Sequence, residues 1–439
     1  MSAVAKTTAS PIERYKTAFD ARWQGNDELI ALRRAAFEQF SAAGFPTQRD
    51  EAWKYTNLRR LESRSFAPAD ASALDAHQPD WLTTSGTRVV LVNGHWLPAL
   101  SSQTAQPPGV TVLTLKQWIQ HDPAAVAAYL KDHDQLGGNA LEQLNLAFFE
   151  DGVVVNLADN TVLDQPLYIV HQSTSAAAQR MSHPRIIVRA GRNSSVTVIE
   201  HYLGANETEY FTNAVARFDV AAGGAVKHFR VQQEAPRAFH IGHVQARLAK
   251  DARYSIHDLQ LGGTLGRTGI TALIEGSGAH AALFGLFTPM GTQHLDAHTK
   301  LDHIAAHTTS EEDYRGIAGG KGRGVFNGKI IVRPDAQKID SRQSSRNLLL
   351  SPTAEIDTKP ELEIYANDVK CSHGATTGQL DATSLFYLRS RGLSESDARA
   401  VLIRAFAESI LTTIDLDSLR TALEHQIDER FKLANEAKA

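Results

Sequence analysis

A turn built of small residues recurs through the middle of this chain and limits its possible folds more than any other feature. Ala190-Gly191, Ala222-Gly223-Gly224-Ala225, Lys250-Asp251-Ala252 and Gly276-Ser277-Gly278-Ala279 carry it. With Gly191, Gly223, Lys250 and Ser277 as markers the intervals are 32, 27 and 27 residues, and Asp335-Ala336 falls about two periods further on. Between Gly152 and about Asp381 short β-type runs alternate with Gly, Asn and Asp, and no amphipathic helix interrupts them. The clearest run sets Ala214, Ala216, Phe218 and Val220 on one face of a strand. Many short strands with periodic turns fit a sandwich, a barrel or a solenoid, and a degenerate period near 30 suits a few coils of the last.

The flanks follow a different period. Ile12, Tyr15, Phe19 and Trp23, then Leu29, Leu32, Phe37 and Phe40, recur at helical steps, and Gly44 with Pro46 supplies a stop. TRVVLVNGHWLP, Thr87 to Pro98, predicts a hairpin, because Asn93-Gly94 suits a type I′ turn. Leu115 to Leu130 and Asn139 to Phe149 return to helical spacing. At the other end Ser394 and Asp397 resemble a capping box. They open a helix whose Ala398, Val401, Leu402, Ala405, Phe406 and Ile410 predict one apolar stripe, and Leu416, Leu419, Leu423, Ile427 and Phe431 predict a second helix. Such faces either pack on the β region or receive a partner.

Composition removes several functions. The 439 residues carry 45 Lys and Arg against 49 Asp and Glu, a net charge of −4, so neither nucleic acid nor an anionic membrane is an expected partner. The single cysteine, Cys371, excludes an internal disulfide and any zinc or iron–sulfur site made from this chain's thiolates alone. With no signal-peptide pattern and no long apolar run, the expectation is a cytoplasmic protein.

Enzyme signatures fail on spacing. GRGVFNGK, Gly322 to Lys329, has the wrong glycine spacing for a P-loop and Ile330 where a hydroxyl would meet magnesium, so no nucleotide is expected on this chain. Neither G-x-S-x-G nor H-E-x-x-H occurs, and the expectation is a protein that is not an enzyme. A glycosidase on a β-solenoid, with paired carboxylates in its groove, is the rival reading. Among 18 histidines, His294, His298, His303 and His307 are spaced like metal ligands on a helix, but Asp296, Thr299, Thr308, Thr309 and Ser310 favour strand and turn and give them a structural role. Cys371 and His373 are different. On a strand they share one face with Cα atoms about 7 Å apart, so both can face one metal centre. Two donors are too few for a cluster, and a second chain or exogenous sulfur would have to complete it.

Longer motifs point the same way. Phe326-Asn327-Gly328-Lys329, Asp340, Asn347 to Ser351, Lys359 to Ile364, Asp368 to Thr376 and Tyr387 to Gly392 together closely resemble the SufB/SufD family of iron–sulfur cluster assembly proteins. Glu51 to Thr56, EAWKYT, extends the likeness towards the N-terminus, and Cys-Ser-His with a lone cysteine is similar to the SufD side of the family. The resemblance implies a mainly β fold, with a central right-handed parallel β-helix over residues 151–382. A mostly helical region, 1–150, would precede it and a helical region, 383–439, would follow. It also implies a scaffold that pairs with SufB through the β-helix and binds the ATPase SufC through its C-terminal helices, around Val401, Leu402, Ala405 and Phe406. A transient cluster would be shared with SufB at that interface, with His373 as a ligand and Cys371 as a nearby thiol. A homodimer is plausible, because an unpartnered β-helix edge invites self-pairing. The alternative within the family is a structural or iron-entry partner of SufB that does not touch the cluster.

Overall fold

A computed structural model describes residues 11–70, 86–102, 106–134 and 139–436. Its centre is a parallel β-solenoid made of two facing sheets, of 11 and 10 strands, in which the chain alternates from one sheet to the other. From Arg185–Ala190 onward each strand pairs in parallel with the strand two further along, in register: Phe218 lies beside Ala246, which lies beside Ala272. This selects the solenoid from the folds that strand pattern left open.

The recurring turn has a stereochemical cause. Asn160, Asn193, Gly223, Asp251, Gly278, His307 and Lys338 all have left-handed backbones, with φ between 53° and 77°. Their spacing runs from 27 to 33 residues, and each donates its N–H to a carbonyl on the next coil, from Asn160 to Arg192 at 2.7 Å to Lys338 to Asp368 at 2.6 Å. Gly, Asn and Asp accept this conformation at least cost, which is why the period shows in the sequence. The coils closed by Asn160 and His307 escaped notice there, since neither carries a small-residue cluster.

Alternation along the strands sorts residues between the interior and two outer faces. Ala216, Phe218 and Val220 point inward, with Leu283, Ile330 and some three dozen other buried side chains. Phe211, Phe239, Ile241 and Leu265 lie on the outer face of the larger sheet, under helices Pro11–Arg22, Glu28–Ala43 and Ala140–Phe148. The predicted hairpin forms, with Asn93 and Gly94 both at positive φ, and it extends the smaller sheet. EAWKYT serves as a clip. Trp53 stacks under the Arg267 guanidinium at 4.0 Å, Arg267 donates to the Ala52 carbonyl at 2.8 Å, and the Thr56 hydroxyl donates to Asp296 at 2.6 Å.

The C-terminal helices, Glu395–Leu411 and Asp417–Glu436, cover the smaller sheet's outer face. Ser394 caps the first through the Asp397 N–H at 3.1 Å. The single stripe expected on this helix is divided. Ala398, Ile403, Ala407, Ile410 and Leu411 are buried, whereas Val401 is 46% exposed, Ala405 is exposed, and Leu402 and Phe406 are half-buried. Ile403 and Ala407 belong to the true packed face, because the helix meets the sheet and its neighbour helix together.

The interior is not uniformly apolar. His228 contacts Glu200 at 2.8 Å, His240 contacts Glu234 at 2.8 Å and Arg230 pairs with Asp258 at 2.8 Å, all buried. Burial holds His171 and His201 neutral, lowering them to about 4 and about 3. Nearer the C-terminal end Glu312 is 1% exposed, and burial with no cation beside it raises its carboxyl to about 7. A raised carboxyl makes the fold most stable below its unfolded value of 4.5 and costs stability as pH climbs from there to about 7. Glu312→Gln should therefore stabilise the chain at pH 8 by up to about 3 kcal/mol and leave it unchanged near pH 4.5, as measured by urea unfolding; equal effects at both pH values would contradict this.

Candidate functional site

The two ends of the solenoid differ. At the N-terminal end Val110–Thr114 runs antiparallel to Gly152–Leu157 and the hairpin strand His95–Trp96 runs antiparallel to Arg88–Val92, so both sheets finish in a turned-back strand. At the C-terminal end Glu355–Ile364 terminates one sheet and Val369–Gln379 the other, and among the described residues each has its far edge unpaired. Two long edges therefore lie side by side, with their backbone donors and acceptors directed outward.

Cys371 and His373 stand on the second of these edges. Their register partners on the neighbouring strand are Ser341 and Gln343. Ser341 and Gln343 are 0% and 3% exposed and face the interior, and in-register parallel pairing turns Cys371 and His373 the same way. Cys371 is half-buried and packs on the apolar core, while His373 is exposed at the open mouth. Burial and then the nearby Asp340 raise the Cys371 thiol above its ordinary value, so at neutral pH it keeps its proton until a cation displaces it.

Behind each residue a polar column runs inward across the strands. Cys371 follows Ser341 and Ser310, whose hydroxyls are 2.7 Å apart, and Ser310 lies 2.9 Å from His303. His373 follows Gln343 and Glu312, and the Gln343 amide donates to the Glu312 carboxylate at 2.7 Å. The carbonyl oxygen of Gln343 is buried without a partner, one strand from the imidazole. Sequence reasoning missed Gln343 and Glu312; the strand of Glu312 runs Ser310-Glu311-Glu312-Asp313 and looks solvated throughout. Only the alternation, Glu311 outward and Glu312 inward, reveals the buried one.

Among the described residues no group of three or more His, Cys, Asp or Glu side chains could hold a metal ion. The thiol and imidazole are soft and borderline donors suited to iron–sulfur chemistry, and further ligands would have to come from another molecule. His294, His298 and His303 occupy a strand, His294–His303, and not a helix; His294 bonds Thr56 at 2.8 Å and His303 bonds Thr308 at 2.7 Å, while His307 closes a coil.

Ile364 and Tyr365, at the turn between the two edge strands, are 40% and 60% exposed, and Phe386 and Tyr387, beyond the end of Val369–Gln379, are 74% and 56% exposed. The last two belong to the helix Ala382–Ser390, none of whose residues is buried. Among the described residues no helix is long and apolar enough to cross a membrane.

Known proteins share this sequence over most of its length. The family model for the SUF system FeS cluster assembly SufBD core domain matches residues 171–406, and that for the SufBD protein N-terminal region matches residues 15–169. The chain is 33% identical over 398 residues to the iron–sulfur cluster assembly protein SufD of Escherichia coli, covering 90% of this chain and 91% of that one. It is also 33% identical over 413 residues to a SufBD-family iron–sulfur cluster assembly protein of Synechocystis, covering 92% and 91%. A chloroplastic protein of Arabidopsis thaliana, ABCI7, is 26% identical over 87% of this chain and 82% of its own. With both family models matched in order and the parallel solenoid between helical regions, the chain belongs to the SufBD family of iron–sulfur cluster assembly proteins and is SufD-like.

Proposed function

We propose that this chain is a scaffold subunit that builds iron–sulfur clusters jointly with a SufB partner seated on its open solenoid end. The observation that carries the reading is the coincidence of three features at that mouth. Two uncapped strand edges can continue into a partner's sheets, the exposed aromatic residues supply apolar contact, and a thiol and an imidazole face the seam with their donor set incomplete. In this arrangement His373 ligates the nascent cluster, Cys371 provides a nearby thiol whose proton leaves when iron arrives, and SufB supplies the remaining ligands. The cluster is cargo, held until an acceptor protein takes it.

The chain's own residues offer no nucleotide site of P-loop type, so the energy for opening the seam is assigned to SufC. The C-terminal region, 383–439, is its proposed dock, with Val401 and Ala405 exposed and Leu402 and Phe406 partly so. Contraction of a SufC pair would pull on helices that are packed directly on the smaller sheet, the sheet that ends in Val369–Gln379. This links hydrolysis to the site mechanically.

Two experiments test these assignments. His373→Ala, co-expressed with SufB and SufC, should leave the complex intact and abolish or strongly reduce anaerobic cluster reconstitution, read by visible absorption; full reconstitution would make this subunit architectural. Val401→Glu should change stability by less than about 0.5 kcal/mol, because the side chain is exposed, and should weaken SufC capture at least about tenfold through a desolvated charge at the contact. Undiminished capture by the folded variant would move the dock elsewhere.

A further inference from the structure

Between the C-terminal helix Asp417–Glu436 and the glycine-rich turns of the solenoid lies a cavity of about 720 Å³, on a different side of the chain from the Cys371–His373 mouth. That volume is in the range of small-molecule sites. Leu261, Met290, Leu350 and Phe431 give it apolar walls, and Gly262, Gly291, Gly319 and Gly320 leave its floor without side chains. At Gly291 even an added Cβ would meet nothing within 4 Å.

Two acids and two guanidiniums line this cavity, Glu234 and the exposed Glu429 with Arg399 and Arg430. Arg430 reaches in from the helix and is fixed by two neutral acceptors, the Thr288 carbonyl at 2.7 Å and the Gln293 side-chain oxygen at 2.6 Å. Its Nε is buried without a partner, and among the described residues no carboxylate forms an ion pair with it. Burial lowers the guanidinium to about 10, so it stays charged at neutral pH. The nearest buried acid on the lining, Glu234, is turned into the solenoid, where it accepts from Thr212 at 2.6 Å and contacts His240 at 2.8 Å. A second guanidinium, Arg399, also borders the space and is held by the Leu350 carbonyl at 3.3 Å. A half-buried guanidinium whose hydrogen bonds go to neutral acceptors, set beside an open apolar space, suits an anion with an apolar body.

We propose that this cavity binds a small organic anion, a carboxylate or phosphate head group on a short alkyl body, with Arg430 as its counter-ion. Bound there, the ligand bridges the C-terminal helix and the solenoid turns, and so fastens the helical region to the sheet beneath it.

The test is calorimetric titration of the full chain, in a buffer free of phosphate and carboxylate, with hexyl phosphate, hexanoate, inorganic phosphate and hexylammonium. Saturable binding of hexyl phosphate or hexanoate below about 10 mM is expected, with the tighter of the two naming the head group, inorganic phosphate weaker and hexylammonium inert. Arg430→Gln should weaken the bound anion at least about tenfold through the lost charged hydrogen bonds. Leu350→Trp, which keeps Arg430 and fills the space, should do the same and decides the matter if Arg430→Gln does not fold. No saturation by either organic anion, equal binding in a folded variant, or equal binding of hexylammonium would overturn the proposal.

Discussion

Everything in this molecule depends on the left-handed residue that closes each coil. By turning the chain at nearly constant intervals and donating to the coil above, Asn160, Asn193, Gly223, Asp251, Gly278, His307 and Lys338 keep the strands in register. In-register stacking aligns like positions into columns, so a residue's role follows from its column and its distance from an end. A stack of this kind also has two ends, and each would leave a row of unpaired backbone groups. One end is finished with antiparallel strands and the other is not. The chemistry proposed for the chain lies at the unfinished one.

Both flat faces of the solenoid are already occupied. The N-terminal helices and the EAWKYT clip hold the larger sheet, and the C-terminal helices hold the smaller. A partner that needs extensive backbone pairing is therefore left with the mouth, while a partner that engages helices is left with the outward side of Glu395–Leu411. The interior adds rigidity of a particular kind. Its polar pairs, Arg230 with Asp258 and His228 with Glu200, are buried in fixed columns, and removing Arg230 or Asp258 would strand the other charge at a cost of several kcal/mol. Such pairs make register slips expensive, which keeps Cys371 and His373 facing inward at the same depth.

What could be read from the sequence followed from local chemistry. The solenoid period was visible where the sequence analysis found small residues at or just before the left-handed position, from Gly191 to Ser277 and again at Asp335-Ala336, and went unread at Asn160 and His307. The flanking helices and the Asn93-Gly94 hairpin were legible because their signals lie within a few residues. The shared face of Cys371 and His373 followed from a spacing of two, but that this face is the interior needed Ser341 and Gln343, some 30 positions away in sequence and adjacent in space. The C-terminal stripe was misassigned because a helix packed against both a sheet and a second helix buries positions 403 and 407, which lie outside a single-contact face. The histidine abundance has its explanation in the packing, since many of the imidazoles, His171, His201, His228 and His240 among them, are interior residues. The buried carboxyl of Glu312 had no sequence signal among its acidic neighbours.

The central claim is that the imidazole at the open end binds the cluster directly. The most direct measurement is pulsed electron paramagnetic resonance on the reduced, reconstituted complex, with this chain alone carrying ¹⁵N-histidine. The account predicts a ¹⁵N hyperfine coupling of the size expected for a directly bound imidazole, as histidine nitrogen replaces one thiolate at an iron. A cluster that forms in full and shows no ¹⁵N coupling would contradict it.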